Sequence, residues 1–312
     1  MRLLLKLLIK MKFYLVAGLS LLAITNVFSQ KYVDILKVNI NTTPLNKFED
    51  TSSYTRINEL VTDLTVPIKL NDSNAVITGL IYEGMQSKLF DNQAMKSVSA
   101  IILKAGLEKR FNTAWSGTFV LLPKIASDFV SIGSKDFQVG GVAIMKFHKK
   151  ENLNYRMGLY YNSELFGPLL VPMLGLYYLS PDKKLETTIM MPLQADVNYK
   201  LSSFVNIGFN YNAQIKSFHL TNVIPNYNST YVTKTTDDLF AYVKFNFTKS
   251  FSLQTRLGQS VDRSNRVFNE SDRVTLGLPA IYIGHKREQL NTNFSNGLLF
   301  QFVLVYRFNL PE

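Results

Sequence analysis

Three histidines, at 148, 219 and 285, are the scarce chemistry-bearing side chains of this 312-residue chain, which contains no cysteine. Thiolate metal sites, cysteine nucleophiles and disulfides are therefore excluded. His219 follows Ser217 by two residues, and Glu164 falls at the end of another alternating segment. A Ser-His-carboxylate hydrolase needs such a set in hydrogen-bonded order, and spacing alone does not supply that order. His148 stands next to "KKEN" and reads as a solvated turn residue. The acid pairs Asp237-Asp238 and Glu270/Asp272 could hold a divalent ion, but they fit ordinary loop solvation better. No HExxH, GxSxG or phosphate-cradling loop occurs, so the expectation is a protein that is not an enzyme, with no cofactor and no metal.

The remaining charges carry a different message. Glu59, Asp63, Lys69, Lys104, Arg156, Asp196, Lys216, Lys244, Arg256 and Arg307 each occupy the polar side of a period-two alternation. Such alternation marks a β-strand with one wet and one apolar face. In "FVNIGFNYNAQIKSF", Val205, Ile207, Phe209, Tyr211, Ala213 and Ile215 oppose Asn206, Gly208, Asn210, Asn212, Gln214 and Lys216. The same pattern runs through "NELVTDLTVPIKL", "NYRMGLYYNSE", "LFAYVKFNF" and the terminal "NGLLFQFVLVYRFNLPE". In the last of these Phe300, Phe302, Leu304, Tyr306 and Phe308 share one face.

Length separates a soluble sandwich from a membrane barrel. Strands of soluble domains run about 5–6 residues, whereas tilted membrane strands need about 9–11. These alternations reach the longer range, and their greasy face is often aromatic near strand ends. The expectation is an all-β chain forming a transmembrane antiparallel up-and-down β-barrel of roughly 12–14 strands. Short turns ("NDSN", "FNTA", "KKEN", "FTKSF") alternate with longer connections at 42–55, 87–96, 128–135 and 218–236. Two places break that rhythm. "LETTIMMPLQADVNY" reads either as two short strands folded near Pro192 or as one strand beside an outward short turn. "DRVTLGLPAIYIGHKREQLN" reads as a strand or as a folded excursion of an external loop.

Residues 1–29 form a signal peptide, with Arg2, Lys6, Lys10 and Lys12 preceding the apolar "FYLVAGLSLLAITNVF", and the barrel occupies 30–312. Met11 is an alternative initiator to Met1. Cleavage removes four positive charges from the formal +11 and leaves +7 on the mature chain. The remaining basic residues are interspersed with acids, which together with export excludes nucleic acid as a partner.

"LVYRF" resembles the C-terminal signal read by the outer-membrane barrel assembly machinery, although "NLPE" follows the final aromatic. "YRMGLYYNSELFGP", and "IGHKREQLN" followed by "NGLLFQFVLVYRF", resemble an uncharacterised family, a domain of unknown function, of Gram-negative outer-membrane β-barrel proteins. The resemblance implies the cell outer membrane as location, with its lipid and lipopolysaccharide and the assembly machinery as partners, and implies no chemistry. On the residues themselves, the seven bases and three acids of the inward set point to a passive pore for small polar or weakly anionic solutes, the small-molecule substrate unknown. The alternative is a closed barrel acting as adhesin, receptor or structural element, favoured by bulky inward Leu299, Val303, Val305, Met190, Phe240 and Tyr242. A rim hydrolase comes third.

Overall fold

The alternating segments become strands because their two faces meet two solvents. The computed structural model describes residues 32–49, 51–224, 227–284 and 286–309. The proposed signal peptide, Met11 and His285 lie outside them. The first eight strands are β1 (Tyr32–Lys47), β2 (Tyr54–Lys69), β3 (Asn74–Ser87), β4 (Lys96–Arg110), β5 (Trp115–Ser127), β6 (Phe137–Lys150), β7 (Leu153–Glu164) and β8 (Gly167–Leu179). Then follow β9 (Leu185–Met191), β10 (Gln194–Lys200), β11 (Val205–Ile224), β12 (Tyr227–Asn246), β13 (Phe251–Asn269), β14 (Leu276–Leu278), β15 (Ile281–Ile283) and β16 (Leu298–Asn309).

All sixteen belong to one sheet, and β1 pairs with β16 while β8 pairs with β9, so the sheet closes. Setting aside the small β14–β15 hairpin, which hangs from β8, the closed antiparallel barrel has fourteen strands. In the turn-end half closure leaves no unpaired edge, which is what a bilayer requires of a sheet. Both described termini lie at the end of the turns 70–73, 111–114, 151–152, 180–184, 201–204 and 247–250; the longer connections 48–53, 88–95, 128–136 and the 270–297 segment lie at the other, together with the tight Leu165-Phe166 turn. In barrels of this kind the short turns face the periplasm.

The outer face is apolar: Leu103, Leu121, Met157, Phe209, Leu239, Leu257 and Phe302 are exposed. At the turn end Trp115 packs against Phe147, ring centroids 5.0 Å apart, and Phe204, Phe247 and Phe251 form an aromatic cluster. Amphipathic rings at that level suit a membrane–water boundary. On β16, Phe300, Phe302 and Tyr306 are exposed, whereas Leu299, Val303 and Val305 point inward and are buried.

Both irregular segments have a physical resolution. Residues 185–200 are two seven-residue strands joined at Pro192-Leu193. At about 3.3 Å per residue each covers about 23 Å along its own axis, too short, once tilted, to cross the apolar band. Residues 270–297 are a folded excursion. Val274 N–H donates to Phe166 O (2.7 Å), Gly277 pairs with Leu169, and the segment returns along β13 through Leu290 N–H to Val267 O (2.9 Å). The expected long connection at 218–236 is not a loop: β11 and β12 continue through it as paired twenty-residue strands. Polar and β-branched residues such as Thr230, Thr233 and Thr235 had concealed the alternation.

Because β9 and β10 stop halfway, the outer half of β11 has no neighbour on that side. It moves inward and meets β5: His219 lies opposite Ser127 in parallel, and Asp128 N–H donates to His219 O (3.0 Å). The outer half is therefore a nine-strand ring (β1–β5, β11–β13 and β16). The outer ends of β6–β8 overhang it as a second layer.

Candidate functional site: a polar lumen under an apolar seal

Inside the turn-end half, the inward residues surround a cavity of about 340 Å³ bordered by Asn, Gln and charged side chains. A second space of about 560 Å³ at the turn-end mouth shares Glu186, Asn198, Lys244 and Arg307 with it. Lys183, Lys184, Lys200 and Lys249 also line the mouth, against the single acid Glu186.

The ten charges expected to face inward distribute as follows. Glu59, Asp196, Lys216, Lys244, Arg256 and Arg307 border the cavity. Glu59 pairs across the lumen with Lys234, and Lys216 Nζ lies 2.6 Å from Glu83 Oε1, also across the lumen. Asp63 pairs with Lys104 two strands away, and Arg307 Nε donates to Asp34 Oδ1 (2.6 Å). Asp196 accepts from Asn210 Nδ2 and from the Tyr242 hydroxyl, both at 3.0 Å. Lys69 bonds Asp72 at a turn and lies away from this cavity.

Three cations have no carboxylate within ion-pair distance among the described residues. Arg156 Nε donates to Asn154 Oδ1 (2.8 Å) and the guanidinium lies 5.4 Å from the Tyr177 ring. Arg256 donates to Asn210 Oδ1 (2.9 Å), Gln254 Oε1 and Gln301 Oε1 (3.1 Å), and lies over Tyr242. Lys244 is 7% exposed and makes no hydrogen bond or ion pair among the described residues.

The outer half is filled with apolar side chains. Phe48, Ile57, Met85, Leu89, Val98, Ala100, Ala126, Phe218, Leu220, Val232, Val267 and Phe294 pack into one buried cluster drawn from strands on every side of the nine-strand ring. Beneath it, Lys234–Glu59 and Lys216–Glu83 tie opposite walls together, and Arg263–Asp238 joins the adjacent strands β13 and β12. Unpaired, any of these groups would be costly to bury; paired, they add a polar floor to the apolar seal. Sequence reading missed Lys234, Glu83 and Arg263, and singled out Asp238 only within a candidate divalent-ion pair. Lys234 fell in the supposed loop.

A second core lies between the nine-strand ring and the overhanging layer, where Phe166, Leu169, Val171 and Met173 pack against Tyr231 and Phe268. Polar groups border it. Ser217 N–H and Oγ–H both donate to Glu164 Oε2 (2.7 and 2.5 Å), and Lys124 Nζ lies 3.1 Å from Glu164 Oε1. His219 does not join them. Its Nδ1 is 2.7 Å from Asp136 Oδ1 and its Nε2 is 2.7 Å from Ser229 Oγ. The candidate order Ser217–His219–Glu164 is thus replaced by two separate pairings, because Ser217 and His219, successive on one face of β11, meet different neighbours. Asp136 precedes β6 by one residue, where no periodicity exists to mark it.

His148 is not a solvated turn residue: it ends β6 half-buried and its Nε2 lies 2.9 Å from Ser116 Oγ. Asp237 accepts from Tyr211 and Asp238 pairs with Arg263, while Glu270 pairs with Lys135. Burial acts to raise the Glu270 carboxyl. Hydrogen bonds from Lys135 and Ser229, with the Lys135 charge, outweigh it and hold the group below its ordinary value. No cluster of three potential metal ligands occurs among the described residues.

No curated protein matches the chain. Among solved structures it is similar to the COG4313 outer membrane channel of Pseudomonas putida F1, at 10% identity, TM-score 0.46, over 88% of this chain and 93% of that one. It is also similar to a Pseudomonas aeruginosa FadL homologue, at 11% identity, TM-score 0.40, over 87% and 89% of the two chains. For the NanC porin the corresponding values are 8%, 0.32, 87% and 98%. Likenesses this distant transfer no solute. Residues 29–296 match the family described as "Domain of unknown function (DUF6268)", and the chain belongs to that family.

Proposed function

We propose that the protein resides in the outer membrane, in contact with its lipid and lipopolysaccharide, as a pore for small polar or weakly anionic solutes that the outer seal holds shut. The observation that supports this reading most is the turn-end mouth, where Lys183, Lys184, Lys200, Lys244, Lys249 and Arg307 face the single acid Glu186. An excess of positive charge around a narrow entrance lowers the energy of an anion and raises that of a cation there. Deeper in the lumen Lys244 and Arg256 form no ion pair among the described residues, within a lining that balances bases and acids.

A planar-bilayer measurement tests it. The unmodified barrel is expected to be silent most of the time, with brief openings that prefer anions. Lys244→Glu combined with Arg256→Glu should move the reversal potential toward cation preference. Openings whose selectivity ignores that exchange would contradict the reading. The apolar cluster and the cross-lumen ion pairs favour a second reading, a permanently closed barrel serving as receptor, adhesin or structural element. Complete absence of conductance, even after Phe218→Ala loosens the seal, would select it.

A further inference from the structure

The pairing of His219 lies outside the lumen, at the outer rim between the nine-strand ring and the overhanging layer. Ser229 on β12 is the diagonal cross-strand neighbour of His219 on β11, since Ser229 pairs with Thr221 and Tyr231 pairs with His219. That relation puts both side chains on one face. Asp136 comes from the far side, delivered by the short 3-10 helix Ser134–Asp136. Its Oδ2 accepts from Gly133 N–H (2.6 Å), which fixes the carboxylate and leaves Oδ1 for His219 Nδ1 at 2.7 Å.

With Nδ1–H donated to Asp136, Nε2 faces Ser229 Oγ, 2.7 Å away, and competes with the Glu270 carboxylate for the single Ser229 hydroxyl proton. Burial falls along the series: Asp136 is fully buried, His219 is 8% exposed, and Ser229 is more accessible than either. A buried acid that orients an imidazole, and an imidazole that contacts an accessible hydroxyl, are the parts of an activated serine nucleophile. We propose that Ser229, His219 and Asp136 form a serine-hydrolase triad at the outer rim, acting on carboxylic esters.

In the first half-reaction Ser229 Oγ bonds to the ester carbonyl carbon and its proton passes to His219 Nε2. The bond from that carbon to the alkoxy oxygen breaks, and the alcohol departs with the same proton. In the second half-reaction a water gives its proton to Nε2 and its oxygen to the acyl carbon. The acyl–Oγ bond breaks, the proton returns to Ser229, and the carboxylic acid leaves. Asp136 stays ionised throughout. Val130 and Ile132, exposed at 67% and 58% on the loop that carries Asp136, offer apolar surface for an acyl chain. Glu270, paired with Lys135, also hydrogen-bonds Ser229. Its negative charge beside the reacting oxygen opposes the developing oxyanion, so this group holds the resting serine back.

The full barrel, folded in detergent, is treated with a fluorophosphonate reagent and its adduct located by mass spectrometry. One adduct on Ser229 is expected. Ser229→Ala should abolish it, His219→Gln should slow it at least about 100-fold, and Ser217→Ala should leave it unchanged. Glu270→Gln should speed it severalfold. The mobility difference between boiled and unboiled samples reports whether each variant has folded. Parallel assays with p-nitrophenyl butyrate and with phosphatidylethanolamine vesicles distinguish a soluble ester from a membrane lipid as the source; hydrolysis of either supports the triad. Absence of an adduct on the folded protein, an adduct that survives Ser229→Ala, or an adduct with neither ester hydrolysed would overturn it.

Discussion

The two halves of this barrel are built from the same strands and reach opposite outcomes. In the turn-end half all fourteen strands contribute to the ring, which encloses a cavity of about 340 Å³ lined by amides and charges. In the outer half nine strands close the ring and its interior is filled by Phe218, Leu220, Val232, Val267 and their neighbours. Fewer strands give a narrower barrel, and a narrow interior is filled by side chains rather than water. The cause is local. β9 and β10 end after seven residues, β11 loses its partner and turns to β5, and the circumference falls. Strand length at one hairpin thus divides an open lumen from a closed one.

The strongest way to break this contrast is to empty the seal. Phe218→Ala removes a buried ring from the narrow half and should cost about 3–5 kcal/mol, read as a lower urea midpoint for loss of the folded gel band. Next is the polar floor. Glu59→Gln leaves Lys234 without its cross-lumen partner, and breaking such a shielded pair should cost about 3 kcal/mol in the same assay. Phe209, 69% exposed on the lipid face, belongs to the wide half. Phe209→Arg should destabilise by about 2–4 kcal/mol if it sits near mid-membrane, and an unaffected midpoint would show that the facing of β11 is off by one residue. The smallest effect is expected at the turns. Lys69→Ala breaks only the Lys69–Asp72 pair, in which Asp72 is exposed, and should shift stability by under about 1 kcal/mol.

Where the two halves differ is also where sequence reading stopped. Alternation in Val205–Ile215 and Leu298–Phe308 is enough to assign an outward and an inward face, because lipid on one side and water on the other select residue types at every second position. Above Lys216 that rule fails. The outward face of β11 there carries Ser217 and His219, covered by β6–β8 instead of lipid, so the polar signature imitates a loop. Pro192 marked the hairpin, yet the consequence of two short strands is a three-dimensional fact about circumference that no local pattern encodes. The same holds for the candidate sites. Parity selected ten charges, of which Glu59, Asp196, Lys216, Lys244, Arg256 and Arg307 border the cavity; Lys234 and Arg263 escaped it, since they belong to segments whose surroundings change partway along. Asp136 reaches His219 from 83 positions away, through a loop with no periodic signal.

The central claim is a lumen entered from the turn end and sealed at the other. The absence of cysteine makes it directly measurable, because a single introduced thiol has no background. Lys244→Cys places that thiol at the cavity, beneath the seal. With the barrel inserted in one orientation in vesicles, a membrane-impermeant maleimide is added to either side separately. The account predicts fast modification from the short-turn side and modification at least about tenfold slower from the long-loop side, with Phe218→Ala narrowing the difference. Equal rates from both sides in the otherwise unaltered protein would contradict it.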